Sequence, residues 1–240
     1  MQTKVITEEA LENPTVQNAY STLMGNIYLM EKNKRFKTIT ITSCNTDNQN
    51  FAISRSLAIS MAGMNNKTLL VDLDLRKKTI KSRVTQSTLS QSNQYGIVQY
   101  LKGNIDLNDV ICKTNIDNLF FIDSGKVNYD PVSVICSGKL HEFLKWAETE
   151  YDYIVFNTSA LELFSDALII SNLTEATILL AKVGYTKLTN LKKAQEQLKR
   201  VNSNLIGVIL NKPCRGIFKR RIAPLNYYYK KSISGNVLSQ

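Results

Sequence analysis

The chain contains 240 residues, of which 43% are hydrophobic, so it can bury the core of one large α/β domain or of two small ones. No apolar run approaches the ~20 residues of a membrane span. The N-terminus, which contains acids and no hydrophobic stretch, excludes a secretory signal, and we expect a cytoplasmic protein. The net charge of +10 favours anionic partners such as acidic protein segments, anionic lipid or nucleic acid, or else indicates a solvated basic face.

Apolar runs that end in polar residues recur along the chain, with helical periodicity between them. The predicted strands cover 38–42, 68–71, 119–122, 153–156, 176–181 and 205–210, and the predicted helices cover 52–64, 139–150 and 187–201. Continuous apolar runs are typical of strands buried on both faces of a parallel sheet. The pattern therefore predicts a single α/β domain, with a mostly parallel sheet between two helical layers. In such sheets, ligands bind beyond the carboxyl ends of the strands.

The loop 42–51 joins the first of these strands to the following helix, which is the setting of a glycine-rich phosphate-binding loop. Its sequence is Thr-Ser-Cys-Asn-Thr-Asp-Asn-Gln-Asn-Phe, which contains neither the glycines nor the Lys-Ser/Thr pair of that motif. The frame of a phosphate site is therefore present without the residues that bind phosphate.

The cysteines, at positions 44, 112, 136 and 214, lie far apart, and His141 is the single histidine. This spacing does not provide a zinc site and indicates reduced, structural thiols. Cys44 is the exception to examine, because it lies within the loop 42–51.

A series of short motifs runs from about residue 19 to residue 213. They are Ala19-Tyr20-Ser21-Thr22-Leu23, Leu69-Leu70-Val71-Asp72-Leu73-Asp74-Leu75-Arg76-Lys77, Gly96-Ile97, Asp130-Pro131, Tyr151-Asp152-Tyr153-Ile154, Ser165-Asp166-Ala167-Leu168 and Gly207-Val208-Ile209-Leu210-Asn211. In their order and spacing the chain resembles the cytoplasmic bacterial tyrosine kinases of capsule and exopolysaccharide synthesis, from the deviant Walker branch of P-loop proteins. The resemblance implies an N-terminal helical segment (1–36), a P-loop NTPase-like α/β domain (37–213) and a basic, tyrosine-containing tail (214–240).

The resemblance implies a nucleotide site in which the phosphate-binding residues are replaced. Asn45, Asp47 and Gln49 occupy glycine positions of the family's loop, where each added Cβ crowds the phosphate. Asn50 stands in place of the lysine that bridges the phosphates, and Phe51 in place of the hydroxyl that ligates Mg²⁺. We therefore expect no firmly bound cofactor, and at most weak binding of ATP or ADP and Mg²⁺.

The acidic motif on the second predicted strand is retained. Asp72 and Asp74 match the family's acidic pair, whose first member helps to hold the Mg²⁺ shell and accepts the tyrosine proton. By resemblance Asp72 is the candidate metal ligand, and both residues are vestigial or residual catalytic groups; alternatively, they cap a helix or pair with Arg76. Asn157 stands in place of a later aspartate, and Asn211 matches a position near the adenine.

Positions that the family uses to assemble a ring have also changed. Asn18, Ser21 and Met24 stand where relatives have Glu-x-x-Arg-x-x-Arg, so we expect no ring of the family type, although Met24 offers an apolar contact of another kind. The scaffold is better preserved. Asn65 replaces a glycine that ends the first helix, and asparagine is the next-best residue for a left-handed cap.

The C-terminal tail places Tyr227, Tyr228 and Tyr229 in a basic sequence. By resemblance these are the phosphoacceptors, and their phosphorylation would add negative charge beside the neighbouring lysines. Alternatively, they form only an adhesive, partly ordered end. The basic and apolar stretch 217–222 allows brief contact with an anionic membrane.

We interpret the chain as a catalytically degenerate member of this family, a non-catalytic regulatory or scaffold partner in capsular or exopolysaccharide biosynthesis. Its expected partner is the cytoplasmic end of a membrane polysaccharide co-polymerase adaptor, an active tyrosine kinase relative, or both; nucleic acid is not expected. One alternative is an active, ATP-dependent tyrosine autokinase in which Lys182 or Lys212 replaces the missing lysine. A second is a deviant Walker protein that binds DNA or membrane, which a steep salt dependence of DNA binding would support.

Overall fold

The computed structural model describes residues 2–6, 14–31, 36–46, 49–76 and 95–212. The elements in chain order are β1 (Gln2–Lys4), α1 (Pro14–Met30), β2 (Thr38–Ser43), α2 (Asn50–Gly63), β3 (Thr68–Leu73), α3 (Ile97–Leu101), α4 (Leu107–Val110), β4 (Ile111–Thr114), β5 (Leu119–Ile122), α5 (Pro131–Ile135), α6 (Gly138–Glu150), β6 (Tyr153–Thr158), α7 (Asp166–Leu173), β7 (Ala176–Lys182), α8 (Leu188–Arg200) and β8 (Leu205–Asn211). None of the helices in these ranges combines the length and the apolar character needed to cross a membrane.

The strands form one eight-stranded sheet in the order β1-β4-β5-β3-β6-β2-β7-β8. In the described part of the chain, neighbouring strands run parallel except β4 and β5, which are antiparallel. The predicted α/β fold with a mostly parallel sheet is confirmed, and the strand and helix bounds agree with the predicted ones to within two residues. The sequence pattern does not indicate β1, because its three residues are polar and only pairing with β4 defines it.

Side chains of the central strands alternate between the two faces of the sheet. On β3, Leu70 packs into a first core cluster with α1 and α2, whereas Leu69 and Val71 pack into a second cluster beneath α3, α5 and α6. A third, smaller cluster lies on the same face as the second and joins Leu179 of β7 to Leu198 of α8. Each buried side chain of this size stabilises the fold by about 1.5–3 kcal/mol, so the clusters hold both helical layers against the sheet.

Two positions that the sequence analysis singled out can be compared with the structure. Asn65 has a φ of 60°, so the predicted left-handed residue after α2 is confirmed. Met24 is only 4% exposed and packs within the first core cluster. The prediction that Met24 offers an apolar contact to another chain is therefore wrong, because this side chain is already buried within its own chain. Asn18 and Ser21 are exposed on the outer side of α1.

An ion pair holds β1 at the edge of the sheet. Lys4 Nζ lies 2.5 Å from Asp123 Oδ2 and 4.5 Å from the centroid of the Phe121 ring. Burial raises the pKa of the Asp123 carboxyl, but the Lys4 charge and the hydrogen bonds to the carboxylate outweigh burial, so the pKa is lowered from its ordinary value. A strand without an apolar pattern is thus fixed by charge.

Candidate functional site

The carboxyl ends of β3, β6, β2, β7 and β8 lie side by side at one edge of the sheet. A shallow cavity of about 230 Å³, part of it open to solvent, lies at the ends of β2, β7 and β8. Its lining residues are Ser43, Asn45, Ile53, Leu180, Ala181, Lys182, Thr186 and Asn211. The lining therefore combines apolar side chains with hydroxyl and amide groups and one cation.

The chain turns after β2 and is tied to the segment that follows β6. Leu161 N donates to Ser43 O at 2.9 Å, and Ser43 Oγ donates to Asn45 O at 2.7 Å. The Asn45 side chain is buried, and its Nδ2 donates to Glu162 Oε2 at 3.2 Å. Its Oδ1 accepts no hydrogen bond from the described residues. One half of this amide is therefore bound within the protein.

Gln49 directly precedes α2, and its side chain reaches the last strand of the sheet. Asn211 Nδ2, at the end of β8, donates a hydrogen bond to Gln49 Oε1. Because β7 lies between β2 and β8, this bond spans β7 and joins the loop to the edge strand. The side chain at a glycine position of the family thus contacts the residue that the resemblance places near the adenine.

Asn50, the first residue of α2, is buried and directed towards β6. Its Nδ2 donates to Thr158 O at 3.1 Å. One turn further along α2, Ser54 Oγ donates to Asn50 O at 2.8 Å and also lies 3.4 Å from Asn157 Oδ1. Asn50 Oδ1 is buried and accepts no hydrogen bond within the described ranges. The amide at the lysine position therefore binds the protein's own backbone.

Asp72 and Asn157 are paired residues of the neighbouring strands β3 and β6. Asn157 Nδ2 donates to Asp72 Oδ1 at 2.7 Å, and Asp74 N donates to the same oxygen at 3.2 Å. Asn157 is fully buried and Asp72 is 7% exposed, so water screens this contact little. One oxygen of the candidate metal ligand is therefore already held by two donors.

The guanidinium of Arg76 does not pair with the two aspartates near it in sequence but with Asp166. Its Nε lies 2.7 Å from Asp166 Oδ2 and its Nη2 lies 3.0 Å from Asp166 Oδ1, which makes a bidentate pair. The guanidinium carbon also lies 4.6 Å from the centroid of the Phe164 ring. The alternative prediction that Asp72 or Asp74 pairs with the Arg76 side chain is therefore wrong, because the guanidinium forms its ion pair with the fully buried Asp166.

Phe51 follows Asn50 in α2, but its partly buried side chain packs against the first core cluster. Its ring meets that of Phe121 edge-on, with 5.9 Å between the centroids. The structure thus brings Gln49 and Asn50 to the strand ends and turns Phe51 away from them. The predicted site residues that lie outside the described residues are Asp47, Tyr227, Tyr228 and Tyr229.

Cys44 follows β2 and is 3% exposed. Burial raises the pKa of its thiol to about 12, and the charge of Glu162 acts in the same direction. The thiol is therefore protonated at neutral pH, and a protonated thiol is a poor nucleophile. Cys44, the cysteine that the sequence analysis singled out, is therefore a buried thiol of the fold and not a reactive one.

The two lysines considered as substitutes for the missing one differ in position. Lys182 lines the cavity, and its Nζ lies 5.5 Å from the centroid of the Tyr185 ring. Lys212 follows β8 and is exposed. Lys182 is thus the lysine that borders the candidate site.

Some residues of the site carry no signal in the sequence. Glu162, which binds Asn45, and Thr186, which lines the cavity, become neighbours of the loop only through the order of strands in the sheet. Ser54 could have been predicted, because a residue four positions after Asn50 shares its face of the helix.

The sheet and the loop at its carboxyl edge define an α/β protein of the P-loop NTPase-like class. The sequence profile of the AAA domain family matches residues 36–206. Tyrosine-protein kinase CpsD of Streptococcus agalactiae serotype III (strain NEM316) is 34% identical over 179 residues, which cover 75% of this chain and 75% of CpsD. CpsD of Streptococcus pneumoniae serotype 4 (strain ATCC BAA-334 / TIGR4) is 32% identical over 193 residues, which cover 80% of this chain and 82% of that protein. This chain belongs to the family of bacterial tyrosine-protein kinases that includes CpsD.

A solved structure agrees with this fold. The kinase domain of Escherichia coli tyrosine kinase ETK superposes with a TM-score of 0.77, covering 95% of this chain and 94% of that domain. The two sequences are 22% identical, so this likeness shows the fold alone.

Proposed function

We propose that this chain is a catalytically degenerate member of the tyrosine kinase family that serves as a non-catalytic regulatory or scaffold partner in capsular or exopolysaccharide biosynthesis. The observation that carries the proposal is the internal hydrogen bonding of the site. Asn157 donates to Asp72, and Asn50 donates to the backbone of β6. Groups that would have to meet a nucleotide and its metal are engaged with one another.

The chemistry of the side chains supports this proposal. Phosphoryl transfer depends on positive charge and on donors directed at the phosphate oxygens. Asn50 brings no charge, and its amide donates to Thr158 O. Phe51 has no oxygen for Mg²⁺, and its ring packs against the first core cluster. The residues present do not fit Mg²⁺-nucleotide bound as the resemblance implies, and each lost electrostatic contact of this kind costs about 10²–10³ in rate.

A member of the family that does not transfer phosphate can still bind the protein partners of its relatives. We propose two partners: the cytoplasmic end of a membrane polysaccharide co-polymerase adaptor, and an active tyrosine kinase relative that phosphorylates Tyr227, Tyr228 or Tyr229. Phosphate on these tyrosines would neutralise part of the basic tail and change its contacts. The chain would then act in the cytoplasm, at the inner face of the cell membrane.

Phosphate transfer from radiolabelled ATP tests the proposal. The purified full chain is incubated with Mg²⁺ and labelled ATP, alone and with an active relative. We expect no label on the chain alone and label on the tail when the relative is present, which Phe at all three tyrosines would remove. Transfer by the isolated chain that Asp72→Ala abolishes would refute the proposal.

A second candidate is an active autokinase with a rearranged site, and the position of Lys182 on the cavity wall favours it. Calorimetric titration with ATP, with and without Mg²⁺, separates the two functions. Tight, Mg²⁺-dependent binding that Lys182→Ala removes, and that Ala at the exposed Lys187 does not, supports the enzyme. A dissociation constant of about 1 mM or weaker supports the scaffold.

A further inference from the structure

The outer side of α8 is strongly basic. Ala194 and Leu198 bury the inner side of this helix in the third core cluster. The outer side carries Lys192, Lys193, Lys199 and Arg200, all exposed, and Glu196 is the single acid of the helix. No ion pair involves any of these four cations within the described ranges. We call these four residues the basic face.

The turn between β7 and α8 exposes large apolar side chains. The exposed fractions are 45% for Val183, 55% for Tyr185 and 66% for Leu188. Tyr185 N donates to Lys182 O at 3.1 Å, and Gly184 between them has a φ of 75°, which favours glycine. The turn is therefore tight, and its backbone geometry presents both neighbouring side chains to solvent. We call Val183, Tyr185 and Leu188 the apolar tip.

The apolar tip continues directly into the basic face, because Leu188 is the first residue of α8. Surfaces that bind membrane interfaces combine these two features: cations that meet anionic headgroups, and apolar or aromatic side chains that enter the interface. We propose that this surface binds an anionic phospholipid bilayer, with the basic face on the headgroups and the apolar tip inserted between them.

The shape of the surface favours a bilayer over an acidic peptide. Residues 192 and 199 of the basic face are separated by two helical turns, about 10 Å, on the exposed side of a single helix. The three side chains of the apolar tip are exposed together, and an interfacial layer can surround all of them. An interfacial layer of lipid supplies both the charge and this surrounding medium. The inference does not depend on whether the chain transfers phosphate.

Co-sedimentation with vesicles tests the proposal on the full chain. We expect binding to phosphatidylcholine vesicles that contain about one third phosphatidylglycerol, no binding to phosphatidylcholine alone, and weaker binding as salt is raised. The double substitution of Lys192→Glu and Lys193→Glu should lower the partition coefficient by about thirtyfold or more. The double substitution of Val183→Ser and Tyr185→Ser should lower the partition coefficient by about tenfold without any change in charge.

A matched control changes the same charge on another helix. Glu at both Lys139 and Lys145 alters the net charge equally, but on α6, beneath β3 and β6, and should change the partition coefficient by less than about threefold. Thermal unfolding checks that each variant is folded. The unmodified chain failing to bind anionic vesicles would overturn the proposal.

Two further outcomes would overturn it. Ala at Lys219, Arg220 and Arg221 tests the tail; loss of vesicle binding in that variant, with full binding after Glu substitution in the basic face, would assign the membrane contact to the tail. The surface would be assigned to an acidic protein segment if the chain bound polyglutamate through the basic face and did not bind anionic vesicles.

Discussion

Two aspartates at the ends of neighbouring strands are held in opposite ways. Val71 of β3 and Ile122 of β5 are partners in the sheet, and each is followed by an aspartate. Asp72 accepts a hydrogen bond from the neutral amide of Asn157 at 2.7 Å, whereas Asp123 accepts one from the ammonium group of Lys4 at 2.5 Å. The comparison shows that the partner of a strand-end aspartate decides its role. The Lys4 ammonium group binds Asp123 and so fixes β1 to the sheet, whereas the Asn157 amide binds Asp72, the acid that the family's chemistry would use.

The largest expected effect comes from making the amide partner acidic. Asn157→Asp places a second carboxylate beside Asp72 in a fully buried position, and two like charges at this distance repel strongly. We expect the free energy of unfolding at pH 7 to fall by about 3 kcal/mol, because two like charges would be held together in a buried site. Because protonation removes the repulsion, the loss should shrink as the pH falls towards 5. Urea denaturation at both pH values measures the change.

The exposed Asn18 provides the control for this substitution. Asn18→Asp adds the same charge on the surface of α1 and should change the free energy of unfolding by less than about 0.5 kcal/mol. If Asn157→Asp destabilised the chain no more than Asn18→Asp does, the carboxyl group of Asp72 would not be packed against position 157, and the contrast with Asp123 would be lost.

The sequence predicts the framework of the site better than its contacts. Apolar runs place Asp72 and Asn157 at strand ends, because burial on both faces requires continuous apolar residues. The bond between Asn50 and Thr158 O depends on β2 lying beside β6, which no local pattern specifies. The position of Phe51 against the first core cluster follows from the start of α2 at Asn50. Helix starts are hard to predict from a loop without a capping side chain.

The partner of Arg76 also could not be predicted from the local sequence, because it lies 90 residues away along the chain. Local reasoning pairs it with the aspartates beside it, but a buried carboxylate 90 residues later gains more from the cation. Only the packing of α7 against the neighbouring strands β2 and β6 brings that carboxylate within reach of Arg76.

The charged partner provides the next largest effect. Lys4→Met removes the cation and leaves Asp123 partly buried, with its side chain 33% exposed. We expect a loss of about 2 kcal/mol in the free energy of unfolding, less than for a fully buried pair because solvent screens part of the charge. Lys67→Met is the control, since its pair with Glu150 is 3.4 Å long and both side chains are over 40% exposed. That change should cost below about 1 kcal/mol, and equal losses would contradict a special role for Lys4.

The same pair predicts a dependence on pH. The pKa of Asp123 is lowered in the folded chain, so the stability from this pair is fully present above the unfolded pKa of about 4 and is lost as the pH falls through the folded pKa. The difference in unfolding free energy between the unmodified chain and Lys4→Met should therefore stay constant from pH 7 to about 5 and shrink below about 4. Urea denaturation across this range measures it, and a difference that grows with acid would contradict the lowered pKa.

The smallest expected effect comes from an amide pair without any charge. Gln49→Ala removes the acceptor for Asn211, and a neutral hydrogen bond of this kind contributes about 1 kcal/mol. Ala at Asn211 should cost a similar amount, and the double variant should cost less than the sum of the two, because both substitutions break the same bond. Gln17→Ala, on the exposed side of α1, is the matched control. Strict additivity in urea denaturation would mean that Gln49 and Asn211 do not stabilise each other in solution, and the loop would then be joined to the sheet through Ser43 and Asn45 without the contact to β8.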